Sequence, residues 1–236
     1  MLRAFRFMAR LDFSLEENTA RAIQDHRHLI EKLSIERIQE ELFRLFDAPH
    51  SNNALQSMVL TEAHKNLLGL EKGIETLSRT DIGYQKEVAF SLLNHYTDLE
   101  DGPWRLSKKV VKTIKNISQL HEKTMARPFT ALDVFTYGKT TALRANTLNR
   151  IFSNPDQAPD IDLLYKGLPI KDKKDLAING NDIVNTLPIS NKTHISRILQ
   201  GLLEDVVEKT IPNTREALIE RAHQHLKLIE RSHTHE

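Results

Sequence analysis

Apolar residues recur at helical spacing along almost all of this 236-residue chain, while runs of β-branched residues bounded by turns are scarce. Only 8 Gly and 8 Pro punctuate it. A chain patterned this way buries its apolar stripes by packing helix on helix, so an all-α fold is expected. The length suffices for a real core, in one elongated unit or two small domains.

Local signals place the helices. Ser14 with Glu17 reads as a capping box that opens a helix through about Arg27. Ser34 is expected to cap a second helix whose stripe is Ile35, Ile38, Leu42 and Leu45, stopped by Pro49. Further helices are expected over 52–69, 84–97, 107–125, 130–153, 190–208 and 214–231. Punctuation is heaviest at Asp101-Gly102-Pro103 and at Ser153 to Pro159, the second being the better boundary. No fixed-period repeat is found, and the last residues, SHTHE, are expected to fray.

Charge and composition exclude several classes of function. Lys plus Arg total 33 against 32 Asp plus Glu, so attraction to nucleic acid must come from where the cations sit. The absence of cysteine removes disulfides, thiolate metal sites and a cysteine nucleophile, and suits a reducing cytosol. No apolar run approaches the roughly 20 residues of a membrane span. Arg3, Arg6 and Arg10 interrupt the first segment too often for a signal peptide. A cytoplasmic protein without membrane contact is expected.

Those three arginines are the first candidates for function. Leu2, Phe5 and Ala9 share one helical face, and the arginines follow i, i+3, i+7 on another. Cations near a helix N-terminus oppose the macrodipole, so helix energetics did not select them. Three explanations stand: Met1 is not the true start of this helix, the guanidinium groups grip an anion, or they form a solvated face.

Three segments resemble one family. MLRAFRF, followed by a short link and Ser14-Leu15-Glu16-Glu17, is similar to a motif of the bacterial CCA-adding enzymes and poly(A) polymerases of the class II nucleotidyltransferase superfamily. Ser34-Ile35-Glu36-Arg37-Ile38-Gln39-Glu40-Glu41-Leu42 resembles the neck motif S-x-E-R-I-x-x-E-L, which supports the nucleotide-reading helix. Lys171 to Ile183 resembles the tail segment L-x-I-x-G-x-D-L, and Ile198, Leu199, Leu202, Leu203, Val206, Val207 and Asn213 keep the order that follows it. The family's usual glycines after that segment are replaced by Thr186 to Lys192, TLPISNK.

The resemblance implies an elongated helical arrangement with a neck over 1–50, a body over 51–155 and a tail over 156–236. It implies that Arg3 and Arg6 contact a nucleotide, with Glu36, Arg37 and Glu41 as supporting residues. The E-D-x-x-R pair that reads the incoming CTP or ATP would stand before Met1. The catalytic head and its Mg²⁺-holding D-x-D would likewise lie outside this sequence, so the chain alone is expected to be inactive. tRNA is the implied partner, and a homodimer is compatible with the family. The alternatives are a stand-alone helical RNA-binding protein, a poly(A) polymerase of the same superfamily, or a plain helical scaffold.

The residues themselves add one further possibility and several decoys. Lys108, Lys112 and Lys115 line one face of a predicted helix with Lys109 beside them, and Lys171, Lys173 and Lys174 cluster in a linker. Either group could meet RNA phosphates without reading sequence, and either could be a solvated face. Tyr137, Tyr165 and Trp104 could stack on bases or pack in the core. Arg37 and Glu41 can form an exposed i,i+4 bridge. Asp160-Ile161-Asp162 lacks the Gly-rich turn of a nucleotidyltransferase metal site and reads better as a loop with a helix cap. The pairs His26/His28, His223/His225 and His233/His235 are spaced i, i+2, which sends each pair to different helix faces, so no metal is assigned. Gly180 is read as turning the chain so that Asn181 or Asp182 starts a helix.

Overall fold

In a computed structural model, residues 1–67, 69–80, 82, 83, 85–97, 105–152, 159–189 and 191–233 are described. Among them every regular element is a helix and no strand occurs, as the apolar periodicity requires. The chain forms two compact units. The first comprises Met1–Arg127 with Thr140–Ala158, and the second Pro128–Lys139 with Pro159–Glu236.

The first unit opens with α1 (Leu2–Leu11), α2 (Glu17–His26), α3 (Ile35–Leu45) and α4 (Ser51–Leu60). It continues with α5 (Glu71–Ser78), α6 (Lys86–Tyr96) and α7 (Lys108–Ala126). Short 3₁₀ turns at Arg27–Lys32 and Ala63–Asn66 link some of these helices. Helix α1 packs on α3 and α4, α4 on α5, and α6 on α7. Phe5, Met8 and Ala9 of α1 are buried with Ile38, Leu42 and Leu45 of α3. Phe46 meets Phe90 of α6 edge to face, ring centres 5.5 Å apart, a favoured aromatic geometry.

The second unit holds α8 (Ala131–Tyr137), α10 (Ile161–Lys166), α11 (Gly180–Thr186), α12 (Lys192–Val207) and α13 (Arg215–His233). Helix α9 runs Lys139–Phe152, and from Thr140 onward it belongs to the first unit. Helices α12 and α13 pack together around Ile198, Leu202, Val206, Leu218 and Ala222. Asp205 ties them: Arg221 donates to both of its oxygens at 2.7 and 3.0 Å, and His225 Nε2 stands 2.7 Å away. His225 lies over Gly201, where a Cβ would come within 2.8 Å of its ring.

Several sequence expectations change in detail. The first cap is Glu16, not Ser14. Its carboxylate accepts from the N–H groups of Asn18 and Thr19, both at 3.0 Å, and so starts the helix at Glu17. The helix expected over 130–153 breaks at Gly138, whose φ of 80° is easy only without a Cβ. On one side Thr130 and Asp133 close a capping box that opens α8. The helix expected over 52–69 stops at Leu60 because Glu62 turns left-handed, φ 56°. Asp12 and Lys209 take the same conformation at φ 53° and 61°, each just beyond a helix. Asp12 Oδ1 accepts from Asn53 at 3.0 Å and stands 3.3 Å from His50 Nδ1. Ser34 does precede α3, although its side chain makes no capping bond to the backbone. Asp101 to Pro103, and Ser153 to Ala158 of the second punctuated segment, lie outside the described residues.

One buried polar network ties α7 to α9. His121 Nδ1 donates to Asn149 Oδ1 at 2.6 Å, and Asn149 Nδ2 donates to Thr124 Oγ1 at 2.9 Å. Thr124 returns its proton to the Leu120 carbonyl at 2.7 Å, so the chain of donors is complete. Burial pushes the His121 imidazole below its usual range despite the Asn149 bond, which favours the charged form.

The Asp205 cluster yields a pH prediction. Arg221, followed by His225, holds the Asp205 carboxyl down at about 2, from 3.8. A carboxyl with a depressed folded value contributes stability above its unfolded value and loses it as pH falls through the folded one. About 2 kcal/mol should therefore separate wild type from Asp205→Asn at pH 6 and vanish between about pH 4 and pH 2. Urea unfolding across that range measures it, and a pH-independent gap would contradict it.

Candidate nucleic-acid interface

Helix α1 divides its side chains by solvent. Leu2, Phe5, Met8 and Ala9 face the core, while Arg3 and Arg10 stand exposed. Arg6 lies between, only 8% exposed. A guanidinium withdrawn this far from water needs a carboxylate, and Glu41 of α3 supplies it: Arg6 Nε donates to Glu41 Oε2 at 2.6 Å. The two side chains are 10% and 15% exposed, so screening is weak. The Arg6 guanidinium also sits 4.2 Å above the Phe7 ring, and that of Arg3 lies 5.6 Å from the same ring centre. Two guanidinium groups thus converge on one aromatic ring, the inner one anchored through Nε and the outer one facing solvent.

This geometry corrects the expected Arg37–Glu41 bridge. Glu41 is taken by Arg6 in a half-buried setting, where pairing gains more than at the surface. Arg37 is exposed and makes no ion pair among the described residues. Glu36 instead meets Arg105 at 2.9 Å, and Glu40 meets Arg44 at 2.6 Å. The Glu36 carboxyl is held below its ordinary range first by its own N–H at the helix start, then by the Ser34 hydroxyl and Arg105. Of the neck-motif residues, then, the fold brings only Glu41 to the arginines.

The candidate lysines divide between the units. Lys108, Lys109, Lys112 and Lys115 are all exposed on α7. They make no ion pair among the described residues. In the second unit Lys171, Lys173 and Lys174 are exposed on a short loop. Asp175 fixes that loop, its Oδ2 accepting from Lys171 N at 2.9 Å and Asp172 N at 2.8 Å. Asn213 clamps it from α13's approach, donating to the Asp175 carbonyl at 2.8 Å and accepting from Ala177 N at 2.9 Å. The Lys171 ammonium lies 5.2 Å from the centre of the half-buried Tyr165 ring. Lys139, which the sequence did not single out, lies 5.4 Å from it. No sequence signal could have brought Lys139 to Tyr165, since most of α9 lies between them. Tyr137 is half-buried on α8, and Trp104 lies outside the described residues.

The tail motif is an architectural device at its polar positions. Asn179, not Asn181 or Asp182, caps α11, which begins at Gly180: the Asn179 side chain accepts from Asn181 N and Asp182 N, and Asp182 returns the bond to Asn179 N. Asp182 also pairs with Arg215 at 2.5 Å. The Asp160–Asp162 pair does not fit a divalent metal. Asp160 caps α10 by accepting from Leu163 N at 2.9 Å, as its cap reading requires, and Asp162 is taken by Lys139 at 2.5 Å. No helix of the described residues is long and apolar enough to cross a membrane.

Comparison with known proteins identifies the family. Residues 99–222, more than half the chain, match the family described as tRNA nucleotidyltransferase domain 2. Residues 12–74 match the "Probable RNA and SrmB- binding site of polymerase A". CCA-adding enzymes of Streptococcus uberis and Bacillus cytotoxicus are 27% and 26% identical, over 90% and 92% of this chain. The chain spans little more than half of those relatives, 56% and 58% of their lengths. The Bacillus stearothermophilus CCA-adding enzyme, solved in complex with CTP, shares the fold with a TM-score of 0.75. That likeness covers 98% of this chain and 62% of the other, at 24% identity. The match over residues 99–222 covers more than half of the sequence, and the chain belongs to the tRNA nucleotidyltransferase family.

Proposed function

We propose that this chain is the tRNA-binding portion of a cytoplasmic CCA-adding nucleotidyltransferase, which adds C, C and A to tRNA 3′ ends from CTP and ATP. The observation that carries the reading is the convergence of Arg3 and Arg6 on Phe7, with Arg6 anchored to Glu41. An arginine fixed through Nε keeps its terminal amino groups for a ligand, and a guanidinium suits the phosphates and base edges of a nucleotide. Relatives that are CCA-adding enzymes, and a CTP complex on the same fold, support that assignment.

On this reading Arg3 and Arg6 contact the nucleotide, Glu41 positions Arg6, and Glu36 and Arg37 support the helix start. Lys108, Lys112 and Lys115 on the first unit, and Lys171, Lys173 and Lys174 on the second, meet tRNA phosphates. Phosphate contacts carry no sequence information, which suits an enzyme that must accept every tRNA. The carboxylates that hold Mg²⁺ belong, on the same reading, to residues other than these 236, because Asp160 and Asp162 are committed to a helix cap and an ion pair. A poly(A) polymerase is the second reading, favoured by the match of residues 12–74, and primer choice separates the two.

The chain should bind tRNA with log K falling linearly against log salt concentration, losing at least about tenfold between roughly 50 and 200 mM. Fluorescence anisotropy with labelled tRNA measures this, and absence of binding at low salt would leave only a helical scaffold. Incubated with CTP, Mg²⁺ and tRNA lacking its 3′ end, the chain alone should incorporate no CMP. Measurable incorporation would place a catalytic centre within these residues. Arg6→Ala should cost about 1–3 kcal/mol in urea unfolding, because the Glu41 carboxylate loses its partner. Arg3→Ala should stay within about 0.5 kcal/mol of wild type. Equal losses would contradict the division between an anchored and a free arginine.

A further inference from the structure

Tyr165 is the only aromatic side chain of the second unit's described residues seen with two ammonium groups beside its ring. Lys139 lies 5.4 Å from the ring centre and Lys171 5.2 Å, so the two nitrogens are at most about 10.6 Å apart. That is within about one Debye length at ordinary salt, where like charges still repel. Here both stems bend toward one half-buried ring, a cation–π arrangement that lowers the cost of holding them together.

Each ammonium is delivered from fixed backbone. Lys139 follows the left-handed Gly138, and its nitrogen is held 2.5 Å from Asp162, one turn before Tyr165 on α10. Lys171 opens the loop that Asp175 and Asn213 clamp, and it makes no ion pair among the described residues. Asp162 neutralises one of the two cations and leaves the other uncompensated. A third ammonium, that of Lys209, reaches Gly167, two residues beyond the ring.

We propose that Lys139, Tyr165 and Lys171 form a phosphodiester-binding site for RNA, in which the two ammonium groups meet the RNA backbone phosphate charge and the adjoining base meets the ring. The proposal rests on the tRNA-binding reading above and adds a defined contact point on the second unit. RNA fits better than an acidic peptide, because every phosphate is one sugar away from a flat base, so ammonium groups and ring are used together. Asp162 has two effects: it fixes Lys139, and its own negative charge weakens the grip on phosphate, as a substrate that must be released requires.

The test is anisotropy of labelled tRNA against the full chain over a salt series, with circular dichroism confirming each variant folded. Lys139→Ala/Lys171→Ala should weaken binding about tenfold at ~100 mM salt and lower the log–log salt slope by about 1–2. Lys139→Arg/Lys171→Arg should keep the slope. Tyr165→Leu should weaken binding about 3- to 10-fold with the slope little changed, because it removes stacking rather than charge. Lys227→Ala, an exposed lysine on α13, should bind like wild type. A folded double alanine variant with wild-type affinity and slope overturns this site while leaving tRNA binding intact. A wild-type chain that binds no tRNA at low salt overturns the underlying reading itself.

Discussion

Burying a guanidinium is costly unless a carboxylate goes with it, and the first unit is arranged around that requirement at Arg6. The apolar face of α1 draws the helix onto α3 and α4, which carries Arg6 to 8% exposure. Glu41 then has to stand where it does. The hydrophobic face sets how deep α1 sits, while the ion pair selects its rotation and axial position against α3, since a slip of one residue would leave two charges unpaired. Phe7 and Arg3 inherit their places from that register. The cationic edge is therefore a product of packing, although its chemistry is polar.

The second unit solves a different problem, because several of its helices are too short to be stable alone. Helices α8, α10 and α11 have 7, 6 and 7 residues, below the length at which a helix holds itself in water. Side chains at their starts make good part of the deficit. Thr130, Asp160 and Asn179 each satisfy a backbone N–H, and Asp133 and Asp182 return the bond. Asn213 does the same service for the loop at 175–177 from nearly forty positions away in sequence. Polar residues that a family motif marks as distinctive are here engaged in building backbone.

Much of this was legible in the sequence, for identifiable reasons. Helices α3, α7, α12 and α13 carry long apolar stripes, and their existence and type followed from the pattern. Helices α8 and α10 are too short to show a period, and their caps at Thr130 and Asp160 mark them, whereas α5 follows Leu70 with no side-chain cap and left no such signal. Arg3 and Arg6 look alike in MLRAFRF, yet one is exposed and the other paired, because a helical wheel gives direction and not depth. Glu41 was expected to meet Arg37, its neighbour one turn away, and its true partner lies 35 positions off. Local spacing offers candidate pairs, and tertiary burial chooses among them. The cluster at Tyr165 was invisible for the same reason, its lysines sitting on a helix start and a clamped loop.

The three left-handed residues show how such a fold holds its stability in reserve. A non-glycine residue at positive φ gives up about 1 kcal/mol that glycine would not. Asp12 offsets this with Asn53 and His50, and Glu62 with Lys65 and Arg27, so at both positions the side chain returns what the backbone loses. Lys209 makes no such ion pair among the described residues, and its ammonium lies near Gly167. A glycine there would relax the turn after α12 and remove a positive charge in one step. With lysine at this position the turn keeps its charge and carries the strain.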